Sequence, residues 1–317
     1  MGKFLNVGAV FDSLKCVDVP NFLLHVPPLN VQRSVAAILA ALDQTIELNR
    51  RMNATLEEMA RALFKSWFVD FDPVRAKLDG REPVGIDSAT ARLFPGHFEH
   101  SDVGLVPSGW AVKRVYDTAN FINGVAFRNV QFSEDGSGLP VVKIAELKDG
   151  VTPQTRFTHD VLAPKYKIKD GEVLFSWSGS PDTSIDTFVW VGGDGWLNQH
   201  IFKVEFARPL EKAFVYCMLK YLNPVFIEIA RDKQTTGLGH VTVQDMKRLK
   251  VTFPSDEVLA AFARVVDPLL HRAFVSLAES RALVAVRDSL LPNSTVIRRD
   301  GRGFWFPRLF DPVRLKD

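Results

Sequence analysis

Cysteine is scarce in this sequence. The 317 residues contain only Cys16 and Cys217, which have the spacing of neither a metal site nor a redox motif, and two cysteines cannot build a disulfide framework. No apolar run approaches the roughly 20 residues needed to cross a bilayer, and no signal peptide opens the chain. We therefore expect a soluble protein of the reducing cytoplasm.

Catalytic and metal-binding motifs are also missing. There is no GxxxxGK[ST] phosphate-binding sequence, so any nucleotide-driven motor of that class must lie elsewhere. The nearest match to the Asn/Asp-Pro-Pro-aromatic motif of adenine methyltransferases is Asn223–Phe226, which has valine in third place within a helical context. The seven histidines show no metal-ligand spacing. We expect a non-catalytic chain that binds no cofactor and no metal.

The formal net charge of the chain is also small. The formal charge of +2 excludes blanket basicity but allows a local basic face. A hydrophobic content of 46% over this length predicts a sizeable core, divided between two structural units.

What the sequence does contain is a long segment with a period of 3.5 residues. Residues 31–66 lack Pro and Gly, and apolar side chains recur at heptad spacing, which predicts a coiled-coil helix over residues 28–70. The predicted seam of this helix is Val35, Ile38, Leu42, Asn49, Met52, Leu56, Met59 and Leu63. An amphipathic helix lying on a globular core is the simpler alternative.

A helix of this kind needs a partner, and residues 255–291 supply one. Aligning Pro254 with Pro27 reproduces the heptad frame, and the predicted seam of the second helix is Phe262, Val265, Leu269, Ser276, Leu283, Val286 and Leu290. Polar residues in the middle of both seams, among them Asn49, would fix the register. We expect Pro268 to kink or break this helix.

Between the helices the pattern changes to short β-like runs separated by turn signals. The predicted strands are Pro140–Ile144, Glu172–Trp177, Thr187–Val191 and His200–Phe206, and Leu210–Arg231 is more helical. The fold class is therefore α+β, with one β-rich domain and two long helices. The predicted divisions are a domain remnant at 1–27, the first helix at 28–70, a mostly irregular connector at 71–109, the β-rich domain at 110–254, the second helix at 255–291 and a C-terminal tail at 292–317.

The chain also contains an internal repeat. A short predicted strand that ends in proline precedes each long helix, and Phe-Asp-Pro-Val-Arg occurs at both Phe71–Arg75 and Phe310–Arg314. A repeat separated by a whole domain indicates a pseudo-symmetric molecule.

In this order the motifs resemble those of the DNA-specificity subunits of type I restriction-modification systems, and the similarity covers nearly the whole chain. LNRRMNATLEEMARALFKSWFVDFDPVRAK (Leu48–Lys77) is similar to the central conserved region of that family. VPSGWAVKRV (Val106–Val115) resembles the opening of a target recognition domain, and TTGLGHVTVQDMKRLKVTFP (Thr235–Pro254) resembles its closing segment. GLPVVKIAELKDG, DGEVLFSWSGS and LNQHIFKVEF resemble its strands.

The resemblance implies a molecule that measures DNA. A complete member of the family has two recognition domains, each reading one half of a split DNA site, and two long helices that pair as an antiparallel coiled coil. This sequence has both helices but one recognition domain, with residues 1–27 as a stub of the other. A homodimer would restore two domains and would read a palindromic split site.

The resemblance also suggests which residues contact DNA, because polar side chains on loops beside the strands are placed to reach bases and phosphates. The candidates are Arg128, Asn129, Lys143, Arg156, Ser176, Ser178, Ser180, Asn198, Gln199, His200, Arg231, Lys233, Gln234, Thr235, Thr236, Gly237 and His240. The run 231–240 combines cations, amides, hydroxyls and two glycines; its alternative is an ordinary surface loop.

The leading hypothesis is a DNA-binding subunit that docks a methyltransferase (modification) subunit and a nuclease-translocase (restriction) subunit. Those partners would use S-adenosylmethionine, ATP and Mg²⁺, and the assembled complex would act as a site-specific deoxyribonuclease and DNA adenine methyltransferase. One alternative is a truncated regulatory or structural module that pairs with other specificity subunits without productive DNA recognition. Another is an unrelated enzyme with a coiled-coil arm, which predicts a polar catalytic pocket in the β-rich domain.

Overall fold

The computed structural model describes residues 27–234 and 236–290. They form two compact units. The helical unit takes its described residues from 27–49 and 279–290, and the mixed unit takes its described residues from 50–278. The predicted domain remnant before residue 27, Thr235, the C-terminal tail and the second Phe-Asp-Pro-Val-Arg copy lie outside the described residues.

The described elements confirm an α+β fold. The helices are α1 (Leu29–Phe68), α2 (Asp72–Leu78), α3 (Ser88–Leu93), α4 (Ile144–Asp149), α5 (Pro181–Ser184), α6 (Lys212–Tyr221), α7 (Asn223–Asp232), α8 (Val243–Arg248) and α9 (Asp256–Leu290). The strands are β1 (Phe98–Ser101), β2 (Gly104–Pro107), β3 (Ala111–Arg114), β4 (Asn120–Asn123), β5 (Leu139–Val142), β6 (Phe157–Thr158), β7 (Lys167–Ile168), β8 (Val173–Ser176), β9 (Ser178–Gly179), β10 (Asp186–Val189), β11 (Gly195–Leu197), β12 (Ile201–Glu205), β13 (Gly239–His240) and β14 (Lys250–Phe253).

Two four-stranded sheets build the mixed unit. One has the order β10-β8-β12-β4 and is antiparallel throughout; the other has the order β6-β5-β11-β7, in which β11 runs parallel to β5. The shorter pairs are β1-β2, β13-β9 and β14-β3. The four predicted strands correspond to β5, β8, β10 and β12, and the predicted helical stretch is α6 followed by α7.

The segment expected to be an irregular connector is more ordered than the sequence suggested. It contains α2, α3 and the β1-β2 hairpin. Asp87 caps α3 by accepting hydrogen bonds from the backbone N–H groups of Ala89 and Thr90, each at 2.9 Å. Buried Phe94 packs edge-on against Trp67 with ring centres 5.1 Å apart. The Asp87 cap and the packing of Phe94 against Trp67 therefore hold the connector in a defined conformation, although its sequence is charged and contains glycine.

The core of the mixed unit is centred on the C-terminal end of α1. The Phe68 ring lies 4.9 Å from the rings of both Phe214 and Phe262, in edge-on geometry. Trp67 and Phe68 are almost completely buried, so their rings pack inside the protein. Edge-on aromatic pairs add about 0.5–1.5 kcal/mol each beyond the area they bury.

The long helices pair in antiparallel fashion within each unit. In the helical unit, Asn49 bonds Glu279 at 3.1 Å and Asp43 bonds Arg287 at 3.0 Å. The earlier residue on α1 therefore contacts the later residue on α9, as expected for antiparallel helices. In the mixed unit, the final turns of α1 meet Phe262 near the start of α9.

The predicted seam has the right period but one of its two rows is displaced. Ile38 and Met59 on α1 are 56% and 48% exposed, and Val265 and Val286 on α9 are 44% and 49% exposed. The less exposed row lies one residue further along each helix. It comprises Leu39, Ile46, Asn53, Ala60 and Trp67 on α1, and Val266, Ala273, Ser280 and Arg287 on α9. The other predicted row, which includes Val35, Leu42 and Phe262, is half-buried or buried.

Pro268 does not break the second long helix. α9 continues through it as one element, so the predicted break is wrong. Among the described residues, no single helix is long and apolar enough to cross a membrane, although Pro209–Tyr221 and Asn223–Asp232 pass that test of length and composition as a pair bent by 47°.

Candidate nucleic-acid interface

The antiparallel sheet brings three chain segments to one edge. β8 and β4 both run opposite to β12, with Ser176 paired to Ile201 and Asn123 paired to Phe202. The residues that follow β8, those that follow β4 and those that precede β12 therefore lie side by side.

A fourth segment joins them through the pairing of β9 with β13. His240 lies opposite Ser178 in this pair. The backbone N–H of Trp177 donates to the carbonyl of His200 at 3.3 Å, and the N–H of Val241 donates to the carbonyl of Trp177 at 2.8 Å. Main-chain hydrogen bonds thus bring together the predicted DNA-contacting segments 176–180, 198–200 and 237–240.

The side chains at this edge are amides, hydroxyls, imidazoles and one indole. We define the strand-end cluster as Asn123, Trp177, Ser178, Ser180, Gln199, His200 and His240. The Trp177 indole Nε1–H donates to Asn123 Oδ1 at 3.0 Å, and the Trp177 ring lies 5.7 Å from the His200 ring. Burial lowers the pKa of His200 from its ordinary value of 6.5, so the imidazole is neutral at pH 7. A neutral imidazole has one donor nitrogen and one acceptor nitrogen.

Two members of the strand-end cluster were absent from the residues predicted from sequence. Asn123 and Trp177 do not stand out in the sequence, because an asparagine at the end of a short strand and a tryptophan after another are ordinary. The available signal was the position of Trp177 between two serines at the end of a strand, where an indole N–H needs an acceptor.

Asn198 has a structural role at this edge. It is buried, and its backbone N–H donates to the Val142 carbonyl at 3.1 Å. Gly124 packs directly beneath it, since a Cβ on Gly124 would lie 2.2 Å from the Asn198 carbonyl oxygen. Only glycine permits this approach, which fixes the loop that carries Gln199 and His200.

Ser176 is not available at the surface. It is the last residue of β8 and is 0% exposed. All four residues of β8 are buried, so Ser176 is left out of the proposed surface.

Cations are gathered around a phenylalanine next to this edge. We define the Phe132 group as Phe127, Phe132, Lys143 and Arg156. Lys143 Nζ lies 5.0 Å and the Arg156 guanidinium carbon 5.7 Å from the centre of the Phe132 ring, and Phe127 stacks on the same ring at 6.1 Å. Lys143 directly follows Val142, whose carbonyl binds the Asn198 loop, so the Phe132 group adjoins the strand-end cluster. Exposed Arg128 and Asn129 lie just before Phe132 in the chain.

The loop 231–240 is tied down by its two cations. Arg231 forms an ion pair with Asp182, and both side chains are largely exposed. Lys233 forms an ion pair with buried Asp245. Burial raises the pKa of the Asp245 carboxyl, but hydrogen bonds from Lys233 and Thr242 outweigh this effect, so that pKa lies below its ordinary value of 3.8.

Only some of the predicted DNA-contacting residues in this loop are available at the surface. Lys233 anchors the loop to α8, whereas Arg231, Gln234, Thr236 and Gly237 are exposed. Thr236 and Gly237 adopt left-handed backbone angles, with φ of 51° and 85°, which makes a tight turn at the tip of the loop.

A polar cleft of about 190 Å³ lies elsewhere in the mixed unit, between α1, α6 and β10. Its charged groups pair with one another: Lys220 lies 3.0 Å from Asp186 and 3.9 Å from Glu57. Burial raises the pKa of the Cys217 thiol at its wall, which makes that thiol a poor nucleophile at neutral pH. Among the described residues no group of three or more His, Cys, Asp or Glu side chains is arranged to hold a metal ion.

A sheet edge with neutral hydrogen-bonding groups beside cations is an arrangement typical of nucleic-acid-binding proteins. Residues 107–269, slightly more than half of the chain, match the model of the type I restriction modification DNA specificity domain. The chain belongs to this family.

Curated relatives extend the similarity beyond the matched domain. The chain is 26% identical to the specificity subunit of the type I restriction enzyme HindI from Haemophilus influenzae, over 89% of this chain and 70% of that protein. It is 25% identical to the specificity subunit of MjaIX from Methanocaldococcus jannaschii, over 92% of this chain and 63% of that protein. The chain thus spans about two thirds of the length of these relatives.

The fold is similar to that of a solved specificity subunit. The crystal structure of the type I restriction-modification S subunit from M. genitalium superposes with a TM-score of 0.50 at 16% identity, covering 90% of this chain and 66% of the other. This similarity supports the α+β architecture with its long helices.

Proposed function

We propose that this chain is a sequence-recognition subunit of a type I restriction-modification complex, and that its mixed unit reads one half of a split DNA site. The observation that carries the proposal is the arrangement at one sheet edge, where the strand-end cluster adjoins the Phe132 group. Neutral amide, imidazole and hydroxyl groups are suited to base edges, and the adjacent cations are suited to phosphates.

Affinity and specificity would then come from different residues. Lys143, Arg156 and exposed Arg128 lie beside the strand-end cluster and would neutralise phosphates, which fixes the position of the protein on the duplex. The strand-end cluster would supply the discrimination between bases. With a formal net charge of only +2, such local placement of cations matters more than the overall charge.

The catalytic steps belong to partners in this proposal. A methyltransferase subunit would supply S-adenosylmethionine chemistry, and a restriction subunit would supply ATP- and Mg²⁺-dependent cleavage. The charged outer positions of α1 are the proposed docking surface, and they include exposed Arg50, Arg51, Glu57, Glu58 and Arg61.

Selection from randomised duplexes tests DNA recognition directly. The full chain, alone and with a methyltransferase subunit, is incubated with random DNA, and bound duplexes are sequenced at several salt concentrations. We expect enrichment of a defined half-site and an affinity that falls steeply with salt. Binding without sequence enrichment in either setting would instead favour the truncated regulatory or structural module.

A second copy of the chain is the simplest source of a second recognition domain. The proposal predicts a dimer by light scattering and a palindromic split site by mapping of methylated positions. A monomeric complex that modifies an asymmetric site would rule out the symmetric assembly while leaving half-site recognition in place.

A further inference from the structure

We propose that Asn123 is a specificity-determining residue, and that Trp177 orients its amide so that the protein presents a hydrogen-bond donor to one base of the half-site. This inference rests on the proposed function. It adds which atom reads the base and which base edges fit it.

The direction of the amide follows from the chemistry of the indole. The Trp177 Nε1–H can donate a hydrogen bond but cannot accept one. The Asn123 atom that faces it at 3.0 Å is therefore the oxygen Oδ1, and the NH₂ group faces away. Within the described residues that NH₂ group has no hydrogen-bond partner, and Asn123 is exposed.

Both residues are held by the framework. Asn123 is the last residue of β4, paired with Phe202 of β12, and Gly124 after it is lodged against the Asn198 carbonyl. The Trp177 ring is half-buried and packs 6.0 Å from the Phe202 ring. An amide fixed in this way loses little side-chain entropy when it binds, so its donor group is prepared for recognition.

A fixed donor distinguishes between base edges in the major groove. Guanine offers two acceptors there, N7 and O6, and thymine offers O4. Cytosine presents only its N4 amino donor, which cannot accept a hydrogen bond from Asn123. Adenine offers a single acceptor, N7, beside its N6 amino donor, so one donor fits it less well than it fits guanine. We therefore expect Asn123 to favour guanine or thymine at the base that it contacts.

Asn123→Asp provides a sharp test because it reverses the polarity of the group with little change in shape. One carboxylate oxygen still accepts from Trp177, and the other now presents an acceptor. Selection from randomised duplexes should show one position of the half-site changing from guanine or thymine to cytosine or adenine, with relative enrichment altered about 5- to 100-fold. The other positions should be unchanged.

Gln154→Glu is the control for added negative charge. Gln154 is exposed in the mixed unit and lies outside the strand-end cluster and the Phe132 group. This variant should weaken binding without changing the selected sequence. Trp177→Phe keeps an aromatic side chain but removes the indole N–H together with one ring, so discrimination at the same position should fall while the salt dependence of binding stays the same.

The outcomes separate this inference from the proposed function. If the wild-type chain selects no sequence, the proposed function itself fails. If the wild type selects a half-site and Asn123→Asp and Trp177→Phe select the same half-site at every position, the reading role of Asn123 is overturned and DNA recognition stands. Thermal melting of each variant identifies any loss of fold, in which case Asn123→Ala decides, since it should remove discrimination at that one position.

Discussion

Asn49 and Glu279 form a hydrogen bond of 3.1 Å between the two long helices of the helical unit. Asn49 is buried in a row of apolar residues that includes Leu42. A single polar residue in such a row fixes helix register because misaligned pairings leave it unsatisfied.

Removing either partner should reveal this coupling. In a double-mutant cycle of Asn49→Ala and Glu279→Ala, urea unfolding should give a coupling free energy of about 0.5–1.5 kcal/mol. Ser34→Ala combined with Glu279→Ala is the control cycle, because the Ser34 hydroxyl bonds the carbonyl of Asn30 in its own helix at 3.1 Å. A coupling for Asn49 no larger than that control would show that the bond contributes nothing to the pairing.

Val265 and Val266 test the position of the buried row with identical side chains. Val266 is 0% exposed and Val265 is 44% exposed. Val266→Ala should lower the free energy of unfolding by about 2 kcal/mol, from lost burial and the cavity left behind. Val265→Ala should change it by less than about 0.5 kcal/mol. A larger effect for Val265→Ala than for Val266→Ala in denaturant titrations would mean that the heptad frame taken from the sequence was correct.

This pair also shows how far the sequence could determine the helices. The 3.5-residue period was evident, because Val35, Leu42, Leu56 and Leu63 recur at heptad spacing. The second row was ambiguous: Ile38 stands beside Leu39, and Val265 beside Val266, so both choices place apolar side chains in the seam. Contacts made by the rest of the fold decide between them, and local periodicity carries no information about those contacts.

Lys143 should contribute to the salt dependence of DNA binding. Lys143→Gln keeps most of the stem over Phe132 and removes the charge, so the slope of log affinity against log salt should become less steep by about 0.9 for one lost phosphate contact. Lys148→Gln is the matched control, since Lys148 is exposed on the adjacent helix α4. Identical slopes for the two variants would exclude Lys143 from phosphate contact.

His200 should make stability depend on pH. Burial lowers its pKa in the folded state below the ordinary value of 6.5, so the unfolded state takes up the proton first as the pH falls. The free energy of unfolding should therefore decrease as the pH drops through 6.5 towards the folded-state pKa of His200. At pH values well above 6.5 this group should have no effect on stability.

His200→Gln isolates this effect. Urea unfolding between about pH 7.5 and pH 5.5 should show a shallower loss of stability for the variant than for the wild type. His97→Gln, at an exposed position, is the control for replacing a histidine by glutamine. A wild-type profile that matches the His200→Gln profile would contradict the assignment.

The site was only partly accessible to sequence reasoning. Resemblance placed polar loop residues near the strand ends, and the structure brings segments 176–180, 198–200 and 237–240 together. The orientation of each side chain was not accessible: Ser176 is buried, and Lys233 is committed to Asp245. The link between Asn123 and Trp177 joins residues 54 positions apart, and such a contact depends on strand pairing across the sheet.

Main-chain hydrogen bonds join the segments at the sheet edge, and the side-chain bond between Trp177 and Asn123 adds to them. Trp177 bonds His200, Val241 bonds Trp177 and the Asn198 loop bonds Val142, all through main-chain N–H and C=O groups. Exposed side chains there can consequently be exchanged without dismantling what supports them. Such a framework would serve as a template for engineering new DNA target sequences, because exposed residues at the sheet edge could be substituted while the rest of the protein stays unchanged.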